Sequence, residues 1–228
     1  MKAIRKLLVK LLGIKGYLKL ISSIYLKMIV LGFFKKKYAE LHFIQKIIQP
    51  HDVVIDIGAN LGYYSFFMAK SIHKNGALFA IEPIPLFADV WKKNMRKYQA
   101  NKNIKLFNVA LGDEAKAAVK MSIPIVHGIV RHGLTKIDNH NVDQAALSFE
   151  VPMYIGEQLL KAEKVNDRAT GDSSSKCHRA FYSKINDKRI TKHAYSLLIY
   201  QTPPSDKNGG NSSATVSEHI VCLTKDTF

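Results

Sequence analysis

Residues 53–62 read VVIDIGANLG, and this stretch decides the fold. Val53 to Ile57 are apolar apart from Asp56, and a turn with two glycines and an asparagine follows at once. A short apolar run bounded by turn residues predicts a buried strand. Gly58 and Gly62 remove Cβ atoms, so the backbone can bend sharply and a ligand can come close. A strand ending in such a turn before a helix leaves backbone N–H groups pointing outward at the helix start. That is the geometry of a nucleotide crevice at the carboxyl ends of parallel strands.

The chain beyond the turn keeps the same rhythm. Residues 63–71 read as a helix and 77–81 as a second strand. Pro83 and Pro85 open another helix, where a missing N–H costs little. Its apolar stripe is Phe87, Trp91 and Met95, with Lys92, Lys93 and Arg96 facing away. Residues 103–109 form a third strand. Strand, helix, strand, helix, strand predicts parallel strands joined by right-handed crossovers. The fold class expected is α/β: a Rossmann-like half-sheet with three parallel strands. Two further β-like pieces, 119–125 and 149–154, fit an added hairpin outside that sheet.

The segments on either side differ in character. Residues 1–49 form a basic helical arm with a break near Gly13 and Gly16. Leu18, Ile21, Ile24, Tyr25, Met28 and Leu31 recur at helical spacing there, with Lys19 and Lys27 off the stripe. Residues 39–48 read as a helix stopped by Pro50. Residues 50–165 hold the strand–helix alternation. Residues 166–228 are rich in Ser, Asp, Asn, Gly and Pro and read as a tail of low order, with one short strand possible within 193–200.

The turn lacks the patterns of two phosphate-binding loops and fits a different ligand. Counting from Gly58, a dinucleotide fingerprint needs glycine where Asn60 and Tyr63 stand. No Gly-Lys-Ser/Thr follows, so a nucleoside-triphosphate loop is excluded as well. A sulfonium nucleoside carries an ammonium, a carboxylate and no phosphate. Asp56 supplies negative potential near its cations, and Asn60 offers a donor and an acceptor to its head group. Glu82 lies 24 residues after Gly58, at the end of the second strand. An acid there can accept bonds from both ribose hydroxyls. Asn108, leaving the third strand in NVALGD, stands where a base would lie.

VVIDIGANLGYYS, AIEPIP and NVALGD resemble the FkbM-family methyltransferases, class I enzymes that use S-adenosylmethionine. The resemblance covers about residues 40–160. It implies a seven-stranded sheet and methyl transfer to oxygen, on a sugar or other hydroxyl of a small-molecule or glycan acceptor. It also implies that Asp56, Gly58, Ala59, Asn60 and Gly62 line the methionine end, that Glu82 binds ribose, and that Asn108 lies near adenine. Acceptor contacts fall in residues 121–136, where His127 and His132 are the candidate bases and Arg131 suits an anionic acceptor. The family's fourth strand ends in an acidic D-x-E-G turn, and no such turn occurs after residue 113. The expectation is therefore a chain truncated or frameshifted near Val165, with the first strand left as an open edge. The alternative is an inactive remnant with a basic, anion-binding arm.

Composition bounds the partners. The chain has 228 residues, 47% of them hydrophobic, enough for one core. Its formal net charge is +16, and residues 1–50 hold eleven Lys/Arg against one acid, Glu40. Such an arm favours anionic partners, and residues 1–37 are the candidate contact with a membrane surface. Nucleic acid is disfavoured, because the arm lacks the interleaved exposed aromatics that stack bases. The two cysteines, Cys177 and Cys222, have neither zinc nor redox spacing, so no metal is expected. A reducing cytoplasm is the expected compartment, with the inner membrane face as the place the arm would touch.

Overall fold

The structure is a computed structural model. It describes residues 2–73, 76–98, 100, 103–126, 129–130, 136–137, 146–162, 196–200 and 220–224. Strand β1 (Val53–Ile57) pairs in parallel with β2 (Ala77–Ile81), and β2 pairs in parallel with β3 (Ile104–Phe107). Every residue of β1 and β2 is buried, as near-continuous apolar strands covered on both faces require. This is the Rossmann-like half-sheet that the sequence predicts.

The crossovers explain the layers. Helix α3 (Tyr63–Ser71) follows β1 and helix α4 (Pro85–Met95) follows β2. Right-handed connections that step the same way across a sheet put both helices on one face. Met68, Ala69, Trp91 and Met95 accordingly pack with Val54, Leu78 and Ala80. Helix α2 (Ala39–Ile47) joins this layer through Ile44. The opposite face buries Val53, Ile55, Ile57, Phe79 and Ile81 under Leu160, from helix α5 (Gly156–Ala162).

A second sheet stands beside the first. Strand β4 (Ala110–Gly112) pairs in parallel with β8 (Ala146–Ile155), and β8 pairs antiparallel with β5 (Lys116–Val126). Short strands β6 (Ile129–Val130) and β7 (Lys136–Ile137) also pair with β5. The antiparallel pair expected outside the main sheet is β5 with β8.

Two expectations are corrected. The edge of β1 is not open. Strand β9 (Ser196–Tyr200) pairs antiparallel with all of β1, and β10 (Ile220–Thr224) pairs antiparallel with β9, giving the order β10-β9-β1-β2-β3. An apolar edge is a template for any β-prone segment, and SLLIY and IVCLT are such segments inside a polar tail. The remaining tail residues lie outside the described ones.

The second correction concerns the long helix α1 (Lys2–Val30). It breaks at Gly13, whose φ of 65° is left-handed, as the glycine spacing predicts. Its buried face, however, is Leu18, Ser22, Leu26 and Ile29, while Ile21, Ile24 and Leu31 are exposed. Ser22 occupies the middle of that face because Asn94 of α4 donates to its hydroxyl. A polar residue at the centre of a packed face hides the face from any count of apolar spacing.

Candidate functional site

The site is built where β1, β2 and β3 end. Asp56 is opposite Ala80 in the β1–β2 register, and Glu82 lies two residues beyond Ala80. Side chains two apart along a strand share a face. Asp56 and Glu82 therefore lie on the same side of the sheet, the side covered by α3 and α4. They are close enough for the Asp56 charge to push the Glu82 carboxyl up.

The glycine turn closes over this pair. Gly58 and Ala59 donate their N–H groups to Ile81 O at 2.9 and 3.0 Å, stapling the turn to the end of β2. Gly58, Asn60 and Gly62 all have left-handed φ, of 77°, 49° and 84°. Asparagine is among the few side chains that enter this region readily. At Gly62 the need is double, because a Cβ there would lie 2.8 Å from Trp91 Cδ1.

Glu82 braces the turn from below. Its Oε2 accepts the Asn60 N–H at 2.8 Å and its Oε1 accepts the Ile84 N–H at 2.8 Å. A carboxylate has about four acceptor positions, so capacity remains for two hydroxyl donors. Asn108 Nδ2 donates to Glu82 O and Pro83 O at 2.7 and 2.8 Å, locking the loop after β3 to the loop after β2. Gly58, Asn60, Pro83, Asn108 and Val109 are half-buried along this edge, and they form its accessible rim.

Asp56 is set deeper. Ser65 Oγ donates to its Oδ2, and Trp91 Nε1 donates to Ser65 Oγ at 2.7 Å. Asp56 and Glu82 are only 5% and 4% exposed. Burial raises the Asp56 carboxyl to about 6 against the opposing pull of the Ser65 hydrogen bonds. Burial likewise raises Glu82 to about 7; the Ile84 and Asn60 N–H groups oppose this and the Asp56 charge adds to it. Two carboxyls poised near neutrality at one strand edge are a common mark of a functional site.

The structure thus gathers all seven candidate cofactor residues: Asp56, Gly58, Ala59, Asn60, Gly62, Glu82 and Asn108. His127, Arg131 and His132 lie outside the described residues. The sequence reading missed Ser65, the link from Asp56 to Trp91, and Asn94. Asn94 Nδ2 donates to Leu61 O at 2.8 Å as well as to Ser22, tying α1 to the glycine turn. A serine inside YYSFF and an asparagine inside WKKNM were the available signals: polar residues at helix positions that face the sheet. Among the described residues, no group of His, Cys, Asp and Glu could hold a metal ion.

No protein-family profile matches the chain, and no solved structure matches it. The chain is similar to a protein-L-isoaspartate O-methyltransferase of Aeropyrum pernix, with 28% identity over 113 residues. The match covers 49% of this chain and 36% of that protein, so the chain spans little more than a third of the length of this curated relative.

Proposed function

We propose that this chain binds S-adenosylmethionine at the β1–β2–β3 edge and transfers its methyl group to a hydroxyl acceptor, in the manner of an FkbM-type O-methyltransferase. The observation that carries the reading is the placement of Asp56 and Glu82. They share one face at the ends of adjacent parallel strands, and one glycine turn joins them. The similarity to an O-methyltransferase by name supports methyl transfer, and the motif resemblance favours a sugar or other hydroxyl as acceptor.

The residues fit the group. Glu82 has acceptor capacity for two ribose hydroxyls beyond its two backbone donors. Asn108 uses its amide N–H groups on Glu82 O and Pro83 O, which leaves a carbonyl oxygen suited to the amino group of adenine. Asn60 and the turn carry the amino-acid end. Asp56 lies under the turn with Ser65 on its Oδ2, so it acts on the bound cations by its field more than by contact. When bound, S-adenosylmethionine supplies a methyl group activated on a sulfonium. The chain's remaining task is to hold an acceptor oxygen in line and take its proton. His127 and His132 are the base candidates, and Arg131 would hold an anionic acceptor.

Titration calorimetry with S-adenosylmethionine and with its demethylated product tests the reading. Binding of both is expected, with about tenfold or greater loss in Glu82→Gln, where an amide N–H faces the Asn60 N–H. Absence of heat with the unaltered chain overturns it. Transfer of labelled methyl to monosaccharide or glycan hydroxyls then tests the acceptor class.

A second reading is a non-catalytic remnant that still binds the nucleoside. The position of β9 favours it, because an antiparallel strand stands beside β1, where the family places the parallel strand that closes the other wall of the crevice. Nucleoside binding without methyl transfer to any hydroxyl acceptor would support this reading.

A further inference from the structure

The outer face of α1 is apolar where solvent should make it polar. Ile4, Leu7 and Leu11 are 65%, 56% and 70% exposed. At about 100° per residue they fall within an arc of about 60° on the helix, one continuous row. Lys6 and Lys10 lie to one side of that row and Arg5 to the other. Past the Gly13 break, Leu20, Ile24 and Lys27 form a second exposed row, spaced four and three residues apart. Leu31 extends it, since its N–H still bonds Lys27 O at 2.9 Å. Single exposed leucines need no account, but a row of them rimmed by lysines does.

We propose that the exposed row of Ile4, Leu7 and Leu11 on α1 docks on an anionic lipid surface. The charge pattern selects the occupant. No acid occurs before Glu40, while Lys6 and Lys10 border the first row and Lys27 stands in the second. An interfacial helix needs both features, leucines to enter the acyl boundary and lysines to meet the headgroups. A nucleic acid would use the lysines and leave the leucines in water. A second copy of the chain brings another +16 and no acid on this face to offset it. Among the described residues, no helix is long and apolar enough to cross a membrane, so α1 lies in the surface and does not span it.

The docked helix is also tied to the candidate site. The inner side of α1 packs Leu18 with Leu61, Ile84 and Phe87. Lys15 pairs with Asp89, and Asn94 joins Ser22 to Leu61 O in the glycine turn. A surface bound by α1 would therefore be linked to the glycine turn through the half of the helix past Gly13. This inference does not depend on which ligand the turn takes.

Flotation of the full chain with vesicles of phosphatidylcholine, with and without phosphatidylglycerol, tests it. Flotation is expected with the anionic vesicles and not with phosphatidylcholine alone. Leu7→Asn with Leu11→Asn should weaken it by more than about tenfold, since each side chain loses its apolar burial. Lys6→Gln with Lys10→Gln should weaken it by a similar factor and flatten its salt dependence. These side chains are exposed, so both variants should melt within a few degrees of the unaltered chain, which circular dichroism checks. Undiminished binding by the leucine variant overturns the proposal, as does failure to float with either vesicle. So does binding to a single-stranded oligonucleotide without any vesicle binding.

Discussion

Trp91 donates its indole N–H to Ser65 Oγ at 2.7 Å, and Ser65 in turn donates to Asp56. This chain runs from the core of α4 through α3 to the end of β1, and all three side chains are buried. It fixes the Asp56 carboxylate and the first turn of α3 with one set of bonds. Ser65→Ala removes the middle member and leaves the indole N–H and the carboxylate without each other's link. A loss of about 2–3 kcal/mol in urea unfolding is expected. Trp91→Phe removes only the outer donor and some volume, so a loss of about 1–2 kcal/mol is expected. The order matters: equal losses would mean that packing and not the hydrogen-bonded chain holds the turn.

The buried acids set a pH dependence whose sign is opposite to that of a salt-bridged carboxylate. Burial holds Asp56 at about 6 and Glu82 at about 7, above their ordinary values. Between the unfolded and folded values the native state binds more protons than the unfolded one. Their contribution to stability is therefore full below about pH 4 and is lost as pH rises through 6 to 7. Asp56→Asn removes one of these titrations. The variant should gain stability relative to the unaltered chain on going from pH 5 to pH 7.5, by roughly 1–3 kcal/mol. A cationic nucleoside reverses the balance, because it favours both carboxylates. Affinity for S-adenosylmethionine should rise about tenfold over the same interval, with proton release near pH 6 seen as a dependence of the binding heat on buffer. A constant difference in stability between the two chains across this range would place the titration elsewhere.

Gly62 and Asn60 separate folding from binding. Gly62→Ala forces a Cβ against Trp91 and an alanine into φ 84°, so a loss of about 2–4 kcal/mol and a shift in Trp91 emission are expected. Asn60→Gly keeps the backbone N–H on Glu82 and relieves φ 49°, so stability should change by less than about 1 kcal/mol. Its cost should fall on affinity for the methyl donor, through the lost side-chain amide. Loss of affinity in neither variant would remove the turn from the site.

Much of this site was legible because its signals are local. The apolar run into Asp56, the glycine turn, Glu82 before Pro83 and Asn108 each follow from residues within a few positions. Their convergence follows from the right-handed crossover alone. The parts that were not legible depend on partners far along the chain. Ser22 is buried because Asn94 reaches it, 72 residues away, and neither residue signals this by itself. The partner of β1 was hidden for the same reason. A short strand within 193–200 was legible from local composition and is found at Ser196–Tyr200, but its pairing was not: only the apolar edge of a strand more than a hundred residues earlier gives SLLIY a place to pair.

That pairing makes its own prediction. Leu198 stands opposite Ile55 on one side and Cys222 on the other. Because β9 is flanked by β1 and β10, every N–H along it belongs to one ladder or the other, and proline at any position breaks one. Leu198→Pro should therefore release β9 and expose the apolar edge of β1. In hydrogen exchange, the amides of residues 53–57 that face β9 should lose about 100-fold or more of their protection, while those that face β2 keep theirs. At higher concentration the variant should scatter light as exposed edges pair between molecules. Uniform protection across residues 53–57, unchanged from the parent chain, would show that β1 finds its neighbour elsewhere.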